Sequence, residues 1–247
     1  MAELAIIGGT GLTSINDLEI TRREMMTTPF GEPSGPLVHG ELYGHEVMFL
    51  PRHGSGHTIP PHKVNYRANI WALKEAGAKS VIAVNAVGAI QPDMQPASLV
   101  IPDQIIDYTW SRTNTFFEEG LSKVVHIDFT EPYCEDMRQK LIDAARGIEL
   151  SIFDKATYAA MQGPRLETAA EINKLERDSC HIVGMTGMPE TALARELELC
   201  YACIAVGANK AAGRGDGEIT MSDIEHHLSS GLENVKKLIR QTVSMLA

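Results

Sequence analysis

Positive charge is scarce in this chain. Its 247 residues carry 22 Lys and Arg against 32 Asp and Glu, a formal net charge of −10 at pH 7. No basic run offsets that balance, which argues against a nucleic-acid backbone as the main partner. Any phosphate site must be local and built from a few groups. Apolar runs are only a few residues long, too short for a membrane-spanning helix. The four cysteines, Cys134, Cys180, Cys200 and Cys203, are too few for a disulfide scaffold and make a reducing cytoplasm the default. The start of the chain lacks the basic segment of a signal peptide; Leu4 to Ile7 runs straight into glycines and reads as a buried strand. Low-complexity tracts, internal repeats and long polar linkers are absent too, so residues 1–247 read as one domain.

What is present is ordinary globular usage, 44% hydrophobic and 22% charged, which excludes disorder, collagen and coiled coil. Short apolar runs predict strands at Leu4–Ile7, Val81–Val84, Ala156–Met161, Ile182–Met185 and Tyr201–Val206. Leu37 to Leu50, broken at Gly44-His45, reads as a hairpin, and 99–101 and 104–107 as further extended segments. Helical spacing predicts helices over about Lys63–Ala76, Asp136–Arg146, Thr168–Glu176, Pro189–Glu196 and Ser222–Met245. In the last, Ser222 and Glu225 match a capping box, and Ile224, Leu228, Val235, Leu238, Ile239 and Leu246 line one face. Strands and helices alternate from the middle onward while the early hairpin is antiparallel. The fold class is therefore α/β, a twisted mixed sheet flanked by helices.

Six segments end strands in small or polar residues. Gly8-Gly9-Thr10-Gly11 can present N–H groups and a hydroxyl to an anion. As a dinucleotide fingerprint it fails at its third glycine, where Ser14 stands; as a plain strand-end turn it needs no ligand. Arg52-His53-Gly54-Ser55-Gly56-His57 pairs an oxyanion clamp with an imidazole. The same triplet occurs in histidine phosphatases, and His53 with His57 has metal spacing on a helix, although the two glycines disfavour a helix there. A polar surface loop is the competing reading. Asn85 to Ala89 sits where open α/β sheets place ligands. Glu167 stands at or just before a helix start, where a carboxylate also simply suits the dipole. Thr186 precedes another helix, as a phosphate donor or a cap. The last segment is Asn209-Lys210-Ala211, after a buried strand.

Together these strings, with Val64-Asn65-Tyr66-Arg67-Ala68-Asn69 and Gln162-Gly163-Pro164-Arg165, resemble the purine nucleoside phosphorylase family, specifically its 5′-methylthioadenosine phosphorylase branch. The match covers almost the whole chain. The resemblance implies a cytoplasmic homotrimer that uses no metal and no organic cofactor. It implies phosphorolysis, in which inorganic phosphate is co-substrate and a nucleoside yields free base and pentose 1-phosphate. It implies phosphate contacts at Thr10, Arg52, His53, Asn85, Ala86 (through its N–H) and Thr186, and places Met185 under the sugar. Glu167 and Asn209, Lys210 and Ala211 would face the base, with Asn209 and Glu167 catalytic; His126 would reach the 5′ end of a neighbouring subunit's substrate.

The departures from the family pattern are informative. Members that cleave methylthioadenosine carry Asp-x-Asp where this chain has Asn209-Lys210-Ala211, and Ser-Ser or similar in place of Glu167-Thr168. A 6-oxopurine accepts at O6 and donates at N1. Asn209 can accept from a protonated N7 and donate to O6, while Glu167 can accept from N1–H. Near the start of the last helix, where 6-oxopurine phosphorylases hold the 5′-hydroxyl with a His, alignment places Met221, with Ile224 one turn on. An apolar lining suits a methylthio group, although core packing explains a Met equally well. The combination implies 5′-methylthioinosine as substrate. A methylthioadenosine or general inosine/guanosine phosphorylase is the alternative, and a histidine-type phosphatase or a non-catalytic purine binder a remote one. Elsewhere, Cys200-x-x-Cys203 reads as buried structural thiols rather than a redox pair. His226-His227 reads as a solvated face and the glutamates at 118, 119, 196 and 198 as solubility.

Overall fold

The computed structural model describes residues 2–12, 15 and 17–246, so Ser14 lies outside the described residues. Among the described residues the strands are β1 (Leu4–Gly8), β2 (Glu19–Glu24), β3 (Leu37–Leu42), β4 (His45–Pro51), β5 (Ser80–Ala89) and β6 (Leu99–Val100). They continue with β7 (Gln104–Asp107), β8 (Ile152–Phe153), β9 (Thr157–Ala160), β10 (Ile182–Gly184) and β11 (Cys200–Lys210). The helices are α1 (Tyr66–Glu75), α2 (Glu135–Gly147), α3 (Ala169–Arg177), α4 (Gly187–Glu196) and α5 (Met221–Ser244). The expected mixed sheet is present, as are the hairpin β3–β4 and the five helices.

Several boundaries differ, each for a physical reason. The helix expected from Lys63 begins at Tyr66, because Asn65 caps it by accepting the Ala68 N–H at 3.1 Å and Pro61–Lys63 forms a separate 3₁₀ turn. The cap of α5 is Thr220, whose hydroxyl accepts the Asp223 N–H at 3.2 Å, and not Ser222. Leu246 is not on the buried face of α5. Strand β2, EITRRE, carries no apolar alternation because it is an exposed edge strand against β3. Cys200 is disulfide-bonded to Cys134 rather than a free thiol; Cys203 and Cys180 are free and buried. Glu196 is structural, accepting the Thr115 hydroxyl at 2.6 Å and the Phe116 N–H at 2.8 Å. His227 is half-buried, its Nδ1 3.0 Å from the Ala208 carbonyl.

The sheet separates two apolar layers. Side chains alternate along a strand, so Ala5 and Ile7 of β1 pack with Ile70 and Leu73 of α1 and Leu193 of α4. Leu4 and Ile6 pack on the other face with Leu141 of α2 and Leu228, Val235 and Leu238 of α5. Each fully buried Leu or Ile contributes about 1.5–3 kcal/mol relative to exposure.

The partners of β5 position the site. One edge of β5 pairs in parallel with β11 from Ser80 to Ala89. The other edge pairs with β1 from Ser80 to Ala83, then with antiparallel β10 at Gly88 and Ala89. Between Ala83 and Gly88 that edge has no strand partner among the described residues. Its N–H and C=O groups face a gap in the middle of the sheet, a topological switch of the kind where α/β folds bind ligands.

Candidate active site

A cavity of about 360 Å³ opens at this gap. Its deep end gathers Thr10, Arg52, His53, Ala86 and Thr186. Gly9 permits the approach: a Cβ there would overlap the Val84 carbonyl oxygen and lie 3.0 Å from Arg52 Nη1. Gly11 adopts φ +80°, a left-handed conformation that favours glycine. Arg52 is fully buried beneath the turn and donates from Nη1 to the Val84 carbonyl at 2.9 Å. Backbone groups alternate along a strand, so the Ala86 N–H faces the same gap as Val84.

The Arg52 guanidinium is held by Glu190 of α4, also fully buried. Nε and Nη2 donate to its two carboxylate oxygens at 2.6 and 2.7 Å. Tyr201 of β11 adds a third bond to Glu190 at 2.7 Å. Burial alone would lower the Arg52 pKa; the Glu190 carboxylate overrides that and raises it above its ordinary value. Asn85 lies one layer back and is absent from the cavity wall. Its Oδ1 accepts from Arg52 Nη2 at 3.3 Å and its Nδ2 donates to Thr186 Oγ1 at 2.7 Å. Asn85 thus bonds two wall residues and lies behind them. Thr186 stands at the N-cap of α4 but makes no side-chain cap bond, and its hydroxyl lines the cavity wall. His53 Nδ1 donates to the Ile59 carbonyl at 2.7 Å. Burial, and then Arg52, lower the His53 pKa to about 4, so the ring is neutral. His57 lies on the same loop with φ +50°, ring centroids 4.7 Å apart, and not on a helix. Among the described residues no group of three or more His, Cys, Asp or Glu is placed to hold a metal.

The same cavity wall carries Met185, Glu167 and Asn209. Glu167 precedes α3, whose cap Thr168 forms a reciprocal capping box with Glu171; burial raises the Glu167 pKa above the ordinary carboxylate range. Asn209 follows a bulge in β11, and its Nδ2 spends one hydrogen on the Lys210 carbonyl at 2.6 Å. The amide keeps its oxygen and a second N–H. Lys210 does not reach the cavity: its Nζ donates to the Pro92 and Met94 carbonyls at 2.6 and 2.8 Å. Ala211 is packed in the small core under α3. Neither of the two lines this cavity, although both are expected from the resemblance to face the base. From α5 the wall takes Ile224, which is 9% exposed, and Met221, which is 64% exposed. His126 lies on an exposed segment and does not line this cavity.

Two further residues shape the site, Glu190 and Arg112. Glu190 has a signal, an acid in the first turn of a helix whose next four positions are small or apolar. Arg112 has none. Its guanidinium donates to the carbonyls of Met185 (2.8 Å), Met188 (2.6 Å) and Gln162 (2.7 Å), tying the loop before Glu167 to the loop carrying Met185.

Comparison with known proteins agrees with this architecture. The family model described as the phosphorylase superfamily matches residues 3–244. A probable S-methyl-5′-thioinosine phosphorylase of Pseudomonas syringae pathovar tomato is 53% identical over 244 residues, covering 99% of each chain. A 6-oxopurine nucleoside phosphorylase of Pyrococcus furiosus is 45% identical over 251 residues, covering 100% of this chain and 94% of the relative. Methylthioadenosine phosphorylase from Schistosoma mansoni, solved with adenine, superposes with a TM-score of 0.95 at 33% identity, covering 100% of this chain and 92% of that one.

Proposed function

The chain belongs to the phosphorylase superfamily, and from that premise we propose that it cleaves S-methyl-5′-thioinosine with inorganic phosphate, giving hypoxanthine and 5-methylthioribose 1-phosphate. The observation that carries the substrate is the joint presence of Asn209, Glu167 and apolar Ile224 on the wall of one cavity. A keto-purine needs an acceptor for N1–H and an amide near N7 and O6. A methylthio group needs a wall without polar demands, and a hydroxyl left unpaired there costs about 1–3 kcal/mol. The 53% identical relative named for methylthioinosine supports the reading.

Phosphate occupies the deep end, against Thr10, the Ala86 N–H, Thr186, His53 and the remaining N–H of Arg52. It attacks C1′ from below in an inverting displacement with an oxocarbenium-like transition state, whose positive charge the dianion stabilises. Asn209 stabilises the departing purine protonated at N7, and Glu167 fixes the base edge. No step requires a metal or an organic cofactor. No covalent intermediate forms, so His53 is a ligand and not a nucleophile. Among the described residues no helix is long and apolar enough to cross a membrane. The family resemblance supports a cytoplasmic homotrimer in which His126 reaches a neighbour's substrate.

The test is to incubate the protein with phosphate and each of methylthioinosine, methylthioadenosine, inosine and guanosine, and to identify the liberated base. Hypoxanthine from methylthioinosine at the highest kcat/KM is expected. Equal or better cleavage of methylthioadenosine would refute the base-pocket reading.

A further inference from the structure

The deep end of the cavity holds little uncompensated positive charge. Arg52, the buried cation on its wall, is matched by Glu190 and has four of its five N–H groups engaged, by Glu190 twice, by Val84 and by Asn85. One N–H on Nη1 is left. Thr10, Thr186 and the Ala86 N–H add neutral donors. His53 differs from these in kind. A carbonyl oxygen can only accept, so the 2.7 Å contact with Ile59 puts the ring proton on Nδ1. Nε2 then carries a lone pair, and no described group donates to it. The subsite therefore combines several donors with one acceptor.

A fully deprotonated oxyanion presents only lone pairs, and one of its oxygens would meet the lone pair of Nε2. Hydrogen phosphate has the complementary pattern of three accepting oxygens and one P–OH. We propose that His53 makes this subsite selective for a protonated tetrahedral oxyanion, whose hydroxyl donates to Nε2, over sulfate. The inference rests on the phosphorolytic reading above and assigns which form of phosphate it uses. At about pH 8, above the second ionisation of a phosphate ester, hydrogen phosphate and sulfate are both doubly charged and similar in size. They differ by the proton. Sulfate could recruit Nε2 only by protonating a ring whose pKa is held at about 4. Hydrogen arsenate keeps the proton and groups with phosphate.

The experiment uses the intact protein in steady-state phosphorolysis of methylthioinosine at about pH 8, with sulfate as inhibitor against phosphate and arsenate as alternative co-substrate. The inhibition constant for sulfate should exceed the phosphate KM by about ten- to hundredfold, the range of one unsatisfied buried hydrogen-bonding group. Arsenate should support base release with a KM near that of phosphate. In His53→Gln, whose amide can donate, the sulfate-to-phosphate ratio should fall to within about threefold. Sulfate competing as well as phosphate binds in the unaltered protein, or full preference retained in His53→Gln, would overturn the inference. If the variant does not fold, the ratio in the unaltered protein decides. Absence of any phosphate-dependent base release would instead sink the functional reading, so the two failures are distinguishable.

Discussion

Asn209 and Glu167 carry the substrate reading through the number of protons each can give or take. Asn209 retains its oxygen and one N–H after bonding the Lys210 carbonyl. Replacing it with Asp removes the N–H that meets O6 and supplies an acceptor for a 6-amino group. Asn209→Asp should raise the kcat/KM ratio of methylthioadenosine to methylthioinosine by about tenfold or more, the scale of one matched hydrogen bond. An unchanged ratio would mean that another group reads the base. His53 yields a stability prediction. Its pKa is lowered to about 4 in the folded protein, against about 6.5 unfolded. The unfolded chain therefore binds the proton more tightly. The contribution of the neutral ring is present above about pH 6.5 and is lost as pH falls toward 4. Thermal melts between those limits should fall less steeply for His53→Gln than for the unaltered protein. Asn209, Glu167 and His53 were legible because strand ends and glycine turns announce themselves. Lys210 was not, because its long stem lets Nζ reach two distant carbonyls, and no local pattern says which way it turns.

Helix α4 is anchored through Glu190, which joins Arg52 of the loop after β4 to Tyr201 of β11. Removing one partner of a fully buried ion pair typically costs about 3–5 kcal/mol. Glu190→Gln should lower stability to chemical denaturant on that scale and weaken phosphate binding through a displaced Arg52. A loss of under about 1 kcal/mol would show the pair to be dispensable. Both Thr220-x-x-Asp223 and Ser222-x-x-Glu225 fit the capping spacing, and the Thr220 hydroxyl makes the bond. Thr220→Ala should cost about 0.5–2 kcal/mol in denaturant unfolding. Ser222→Ala should leave stability within about 0.5 kcal/mol. The strands with buried, apolar cores were readable from sequence. Edge strand β2 was not, because its stability comes from a pairing that charged, exposed side chains do not advertise. The Cys134–Cys200 bridge joins residues 66 apart in sequence, and that separation hides the proximity.

At the scale of the whole molecule, large apolar side chains stand exposed on the single chain, among them Trp110 at 67% and Val124 at 72%. Val124 lies two residues before His126. These exposures fit a surface covered by another copy, as the expected homotrimer requires. Sedimentation equilibrium should give the mass of three chains. His126→Ala should raise the KM for methylthioinosine by about tenfold, the scale of one lost contact, while leaving the fold intact by circular dichroism. A monomer with full activity would contradict the cross-subunit role. The sequence made the layered α/β plan and the cluster of strand-end residues visible. It did not show how β5 exchanges β1 for β10 along one edge, because that pairing depends on contacts far apart in the chain.

The most direct test is a crystal structure of the protein with hypoxanthine and phosphate bound. The expected result is an Asn209 amide within hydrogen-bonding distance of N7 and a Glu167 carboxylate accepting from N1–H. An amide rotated away from the purine, with Glu167 turned to solvent, would contradict the claim that this pair selects a keto-purine.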